Sequence, residues 1–173
     1  MPSYVEQIES ILHRLDTAEL KVETLGHFKV WRNGKAVQSK SWGRDKTLQL
    51  LQYLITTRQR RGMHKEQIID RWWEESDPEA GDRDFKVAMH GINKALEPER
   101  KSREAPKFVV RQGLTYQLNF EAMALDVDIL EDLVATGNEA MQADIQAAQK
   151  AYSAAIELYK GPYLIVYMKI GRA

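Results

Sequence analysis

The sequence predicts an α+β fold: short antiparallel strands come first, three helices and a β-hairpin follow, and a helical hairpin comes last. Three observations carry this prediction. Hydrophobic residues recur at every second position in some segments, as in strands, and at every third or fourth position in others, as in helices. Asn-Gly and Gln-Gly pairs stand between strand-like segments, where a tight turn is needed. The chain has 173 residues, 43% of them hydrophobic, which is enough to bury a core without disulfides.

Residues 1–19 are predicted as an N-terminal helical segment. Ser3 and Glu6 have the spacing of a capping box, and apolar residues recur on one face up to Leu15. We expect a helix over residues 3–16 that is either an appendage or a packing helix.

Strand-like alternation follows from Leu20 to Val30. Asn33 and Gly34 favour the positive backbone angles of a tight hairpin. Two or three short antiparallel strands are expected.

Three helical segments follow the strands. Leucines spaced at three and four residues mark the first, from about Arg44, and "HKEQIIDRWW" is typical of a short second helix. Asp77 can cap the third helix, which Pro78 would begin.

The third helix carries two different faces. At about 100° per residue, one narrow sector holds the apolar residues Phe85, Met89, Ile92 and Leu96. The opposite side presents Arg83, Val87, His90 and Lys94, flanked by Lys86 and Asn93. On base rates such a face is most often simply solvated. Arginine, asparagine, lysine and valine are also the residues that contact guanine, adenine, phosphate and the thymine methyl group.

A second hairpin is predicted around Gln112 and Gly113. Strand-like alternating residues flank this pair, Phe108 and Val110 before it and Leu114, Tyr116 and Leu118 after it. The order helix, short helix, longer helix, hairpin is that of a winged helix-turn-helix, whose last helix enters the major groove.

Charge and periodicity both change near residues 119–125, where we place a domain boundary. Residues 20–113 hold 20 Lys and Arg against 13 Asp and Glu, a net charge of +7, although the whole chain is neutral. Such asymmetry favours a nucleic-acid contact in that part. Residues 125–164 have the helical spacing of a hairpin of two helices, and an apolar tail, 165–173, follows.

Several function classes have little support in the sequence. The chain has no cysteine, and its four histidines have no ligand spacing, so we expect no metal site. Phosphate-binding loops and serine elbows are missing, so we expect no enzyme and no cofactor. No segment approaches the ~20 apolar residues of a membrane span or looks like a signal peptide. We therefore expect no membrane contact and a cytoplasmic location.

In their order, these blocks resemble the winged-helix regulators of the OmpR/PhoB type, and more closely the streptomycete-antibiotic-regulatory-protein-like activators with a bacterial transcriptional activation domain. The resemblance covers about residues 20–164. The blocks that carry it are "LKVETLGHFKVWRNGKAV", "SWGRDKTLQLLQYLI", "HKEQIIDRWWEESDPEA", "FKVAMHGINKALEP", "KFVVRQGLTYQLN" and "LDVDILEDL…AYSAAIELYKGPYL".

The resemblance implies a winged-helix DNA-binding domain over 20–119 with an N-terminal sheet and a C-terminal wing. It also implies a tetratricopeptide-like activation domain that begins near Asp126 and contacts a second copy in a dimer or the transcription machinery, RNA polymerase included. By position, the reading helix would use Arg83, Lys86, Val87, His90, Asn93 and Lys94, the wing tip Arg111 and Gln112, and the phosphate contacts Arg44 and Lys46. The chain departs from the family at Gly91 and Asn93, where members usually have arginine.

Two functions are therefore expected from different classes. The first is a regulator that binds double-stranded DNA of a defined sequence as a dimer, on half-sites about 10 base pairs apart. The alternative is a protein-docking module that uses the helical hairpin and has lost DNA binding. The neutral net charge and the acidic Asp82 and Asp84 near the start of the third helix favour the alternative.

Overall fold

A computed structural model describes residues 1–59 and 61–164 of the chain. The backbone divides into two compact units. Among the described residues, unit 1 combines 1–36 with 123–164, and unit 2 lies within 37–122. The predicted tail, 165–173, lies outside the described residues.

Unit 1 begins with helix α1, Tyr4–Thr17. Its N-terminus is the predicted capping box: the Ser3 hydroxyl accepts a hydrogen bond from the Glu6 N–H, and the Glu6 carboxylate accepts one from the Ser3 N–H at 2.7 Å. Two N–H groups that have no partner within the helix are satisfied in this way.

A four-stranded sheet follows α1, in the order β3-β2-β1-β7. Its strands are β1 (Leu20–Glu23), β2 (Lys29–Arg32), β3 (Lys35–Ala36) and β7 (Met123–Leu125). The predicted hairpin is confirmed: Asn33 and Gly34 have φ of 48° and 76° between β2 and β3. Strand β7 runs parallel to β1 and was not predicted. Its three residues are all buried, so it has no polar alternation to reveal it.

The predicted helical hairpin consists of α5, Asp126–Ala140, and α6, Ile145–Leu158. Helix α1 packs against both of its helices. The shared core contains Ile8 from α1, Ile129 and Leu133 from α5, and Ala151 and Ala155 from α6. Of the two alternatives, an appendage or a packing helix, the structure shows the packing helix.

A buried carboxylate joins α5 to the end of β1. Oδ1 of Asp126 accepts hydrogen bonds from the Thr24 N–H at 2.8 Å, the Thr24 hydroxyl at 2.6 Å and the Val127 N–H at 2.8 Å. Oδ2 accepts from the Leu25 N–H at 3.0 Å. Asp126 is 4% exposed, and these four donors replace the water it has lost.

Unit 2 contains the three predicted helices and the second hairpin. The elements are α2 (Asp45–Thr56), β4 (Met63–His64), α3 (Lys65–Trp72), α4 (Pro78–Leu96), β5 (Val109–Gln112) and β6 (Thr115–Leu118). Strands β4, β6 and β5 form an antiparallel sheet in that order. This is the helix, short helix, longer helix, hairpin order that the sequence predicts.

Helix α4 starts where Asp77 and Pro78 predict it. The Asp77 side chain accepts from the Ala80 N–H at 2.9 Å, and Pro78 is the first helical residue. The apolar sector is buried as expected, with Phe85, Ile92 and Leu96 each at most 1% exposed. Because the helix begins at Pro78, Asp82 and Asp84 lie in its second turn rather than at its N-terminus.

The second hairpin differs from the prediction by one residue. Gln112 pairs with Thr115, so the turn residues are Gly113 and Leu114, with Gly113 supplying the positive φ of 62°. Val110 and Leu114, two of the alternating residues that flank the predicted turn, are 39% and 46% exposed. The strands extend beyond the core here, and alternation near a hairpin tip no longer reports burial.

The predicted domain boundary at residues 119–125 includes Ala122 and Met123, where the chain leaves unit 2 and returns to unit 1. The strands β1, β2 and β3, predicted within the 20–119 domain, share their sheet with β7 in unit 1. As divisions of function, the bounds 1–19, 20–119 and 125–164 stay predictions.

Candidate nucleic-acid interface

The outer face of α4 is the centre of the candidate interface. Arg83, Val87, His90 and Lys94 are all exposed there, opposite the buried sector of Phe85. Val87 is 45% exposed, an apolar side chain in the middle of a polar face. The structure therefore presents the predicted set on one accessible helical surface.

Asn93 lies at the edge of this face and is half-buried. Its Oδ1 is buried and has no hydrogen-bond partner among the described residues. Because this oxygen is turned inward, the Asn93 amide is less accessible than the four exposed side chains.

Gly91 lies on the flank of α4 that contacts α2. A Cβ atom built there would lie 2.9 Å from Cγ2 of the buried Thr47. A side chain at this position would force the two helices apart. The glycine at position 91 therefore has a packing reason in this chain.

Lys86 is exposed, but its charge is engaged within unit 2. Its ammonium lies 2.6 Å from Oδ2 of Asp82, four residues earlier on α4, and the ammonium of Lys65 pairs with Oδ1. Hydrogen bonds from Lys65, and then from Lys86, hold the pKa of the Asp82 carboxyl below its usual value. One carboxylate thus holds two lysines.

The start of α2 borders a shallow pocket of about 330 Å³. The pocket is lined by Arg44 to Thr47, by Trp73 and Ser76 after α3, and by Asp84, Val87 and Ala88 of α4. Arg44 is the exposed N-cap residue of α2. Helix N-termini carry partial positive charge and attract anions. The pocket therefore brings a predicted phosphate contact next to the outer face of α4, with Asp45 and Asp84 as opposing charges.

Lys46, the other predicted phosphate contact, is anchored to α3. Its ammonium donates to the Trp72 carbonyl oxygen at 2.7 Å and lies 5.3 Å from the Trp73 ring centroid. This carbonyl is at the C-terminus of α3, where a cation is favourable. Lys46 therefore positions α2 against α3, and only its remaining donors face outward.

The wing carries the predicted Arg111 and Gln112, both exposed. Nε of Arg111 donates to the Gly113 carbonyl at 2.8 Å, and the guanidinium lies 5.5 Å from the Tyr116 ring. The Arg111 side chain is thus folded along its own hairpin. The Lys65 N–H donates to the Leu114 carbonyl at 2.8 Å, which ties the wing turn to the start of α3.

Sequence reasoning did not identify Lys65 and Thr47 as parts of this region. Lys65 connects the wing turn with Asp82 on α4, and Thr47 packs closely against Gly91. The sequence signal was indirect: a glycine inside a strongly periodic helix weakens the helix, so its presence points to a packing or functional reason.

Across residues 1–59 and 61–164, no helix is long and apolar enough to cross a bilayer. Within the same ranges, no group of three or more His, Asp or Glu side chains is arranged to hold a metal ion.

Comparison with known proteins supports the fold. No family profile matches the chain, and no curated protein matches it in sequence. A solved structure that does match is that of Mycobacterium tuberculosis EmbR in complex with a low-affinity phosphopeptide, with a TM-score of 0.70 and 20% sequence identity. The match covers 88% of this chain and 39% of the EmbR chain. The chain therefore has an α+β fold like that of the matched part of EmbR, and it spans less than half of that protein's length.

Proposed function

We propose that this chain is a transcriptional regulator that binds double-stranded DNA of a defined sequence. In this proposal α4 lies in the major groove, and the wing contacts the backbone or the minor groove. The single observation that carries the proposal is the outer face of α4. Arg83, Val87, His90 and Lys94 are exposed there, on the side of the helix opposite its buried apolar sector.

The chemistry of this face suits direct base readout. Arg83 can form forked hydrogen bonds to guanine, Val87 can contact a thymine methyl group, and Lys94 can neutralise a phosphate. The pocket at Arg44 offers a helix N-terminus to the neighbouring DNA backbone. The likeness in fold to EmbR is consistent with this function.

The family assignment belongs to the same proposal. We infer a regulator of the OmpR/PhoB type, of the streptomycete-antibiotic-regulatory-protein-like kind, with residues 125–164 as the start of its activation domain. It would bind as a dimer, and the activation domain would contact the dimer partner or RNA polymerase. No enzymatic activity, cofactor or metal is part of this proposal.

The test begins with DNA sites selected by the protein from random sequence. Affinity for a selected site is then measured against salt concentration, and log K should fall linearly with log salt because lysine and arginine displace counterions from phosphates. Arg83→Ala should weaken binding by roughly 1 to 3 kcal/mol, as expected at a base-reading position, whereas Lys94→Ala should weaken binding about equally on every sequence and reduce the salt slope by about 1.

The matched control is Lys150→Ala, which removes a cation from α6, where Lys150 lies 3.6 Å from Glu9. It should bind selected DNA like the unaltered protein. A flat salt dependence would mean that phosphate contacts are absent and would overturn the proposed function. Variants of Arg83 and Lys94 that bind normally would rule out α4 as the reading helix.

A second candidate is a protein-docking module. It is favoured by the exposed apolar side chains of the helical hairpin and the residue after it: Ile145 is 64% exposed, Ile156 73% and Tyr159 57%. If docking is the function, Ile156→Glu should abolish retention of a protein partner by the full chain, and the unaltered chain should not retain DNA at low salt.

A further inference from the structure

We propose that Asp82 acts as an internal substitute for a DNA phosphate, which neutralises Lys86 and thereby limits the sequence-independent part of DNA binding by α4. This inference rests on the proposed function, because it concerns how strongly the same helix binds the DNA backbone. It assigns to Asp82 a positioning and charge-balancing role, with no base contact.

The geometry places both carboxylate oxygens of Asp82 on lysines. Oδ1 pairs with Lys65, and Oδ2 lies 2.6 Å from the Lys86 ammonium. Asp82 and Lys86 are four residues apart with the acid on the N-terminal side, the favourable order for a helical pair. A phosphate offers lysine the same ligand, a negatively charged oxygen, so Asp82 and DNA compete for the same cation.

The two lysines differ in what a phosphate can reach. The Lys86 side chain is 68% exposed and projects from the predicted reading helix, whereas the Lys65 side chain is 17% exposed. Lys65 also lies 5.8 Å from the Phe85 ring centroid, and its N–H binds the Leu114 carbonyl of the wing turn. Lys86 is therefore the cation that DNA would gain if Asp82 were neutral, while Lys65 stays in its place.

In this inference α4 therefore binds the phosphate backbone of DNA more weakly than it would without Asp82. Phosphate contacts contribute equally on every sequence, whereas Arg83 and Val87 contribute only on matching bases. With Lys86 balanced by Asp82, fewer phosphate contacts form on matched and unmatched DNA alike. The expected signature is therefore a change in salt dependence that is the same on both kinds of DNA.

The experiment measures the binding of Asp82→Asn and the unaltered chain to two duplexes over a range of salt. One duplex carries the selected site and the other a mixed sequence. The asparagine variant should steepen the slope of log K against log salt by about 0.9, the value for one added phosphate contact. The gap in affinity between variant and unaltered chain should then widen roughly eightfold for each tenfold dilution of salt, equally on both duplexes.

Three further variants separate this role from a general change in charge or folding. Asp70→Asn removes the same charge from the exposed surface of α3 and should leave the slope unchanged. Asp82→Glu retains the carboxylate and should behave like the unaltered chain. Lys86→Gln should cancel the gain in the Asp82→Asn background.

Each outcome decides the inference. A slope that Asp82→Asn leaves unchanged, or a gain confined to the selected site, overturns it while the proposed function stands. If Asp82→Asn fails to fold, a full loss of one phosphate contact in Lys86→Gln alone overturns it equally well. If the unaltered chain binds neither duplex, the proposed function fails and this inference fails with it.

Discussion

The two units differ in whether a buried polar side chain has hydrogen-bond partners. Unit 1 buries a carboxylate, Asp126, and surrounds it with four hydrogen-bond donors. In unit 2 the charged side chains of α4, such as Arg83 and Lys94, are exposed on its outer face. A buried polar group of unit 2 is the side-chain amide of Gln52. Gln52 is fully buried, and neither its Nε2 nor its Oε1 has a hydrogen-bond partner among the described residues.

This difference separates polar groups that hold a fold together from those presented to a partner. Both oxygens of the Asp126 carboxylate accept hydrogen bonds from the protein's own chain. The exposed cations of α4 remain accessible to solvent, although Asp82 engages Lys86 and the Asp84 carboxylate lies 3.9 Å from Nε of Arg83. A buried polar group contributes to stability only when it is fully paired, so Asp126 and Gln52 should respond to substitution with opposite signs.

The largest expected effect is the loss of the Asp126 carboxylate. Asp126→Ala should lower the free energy of unfolding by about 3 to 5 kcal/mol, because buried N–H groups at Thr24, Leu25 and Val127 lose their acceptor. Chemical denaturation followed by circular dichroism measures this change. The matched control is Asp132→Ala, an exposed partner of Arg14, which should cost at most about 1 kcal/mol. Equal costs for the two variants would contradict the role given to Asp126.

A smaller effect of opposite sign is expected at Gln52. Gln52→Met should raise the free energy of unfolding by about 1 to 2 kcal/mol, because methionine fills similar space without unsatisfied polar atoms. The same denaturation experiment applies, with the half-buried Gln49→Met as the control, expected within about 0.5 kcal/mol. A destabilised Gln52→Met would show that the amide does have partners, such as buried water.

The smallest effect concerns an exposed carboxylate in unit 1. Hydrogen bonds from the Ser3 N–H, and then from its hydroxyl, hold the pKa of Glu6 below its usual value. Since the folded-state pKa is lowered, this stabilisation is present above the unfolded pKa and is lost as pH falls through the folded value. Ser3→Ala should move the pKa of Glu6 part of the way back, because the N–H remains. Carboxyl resonances in an NMR titration report this shift, and the pKa of Asp82 should not move.

Much of the fold could be predicted from local sequence. The capping box at Ser3, the Asn33-Gly34 turn and the start of α4 at Asp77 all depend on neighbouring residues, and all three are confirmed. The wing turn was misplaced by one residue, since Gln112 pairs with Thr115 across it. Turn position depends on strand register, which a local pattern near an exposed tip specifies weakly.

The candidate interface was predictable only in part. Helical periodicity alone placed Arg83, Val87, His90 and Lys94 on one face, and the structure has them there. It could not show that Lys46 binds the Trp72 carbonyl or that Asp82 engages Lys86 and Lys65. Whether these residues read DNA stays a prediction.

The sequence by itself determined which segments form helices and hairpins, because capping, turn conformation and amphipathic spacing are properties of adjacent residues. Only the tertiary structure decided that β7 pairs with β1, that Asp126 is buried among backbone donors, and that Gly91 packs closely against Thr47. These contacts join residues from 44 to more than 100 positions apart. Their partners depend on how whole elements pack, which no local spacing of residue types records.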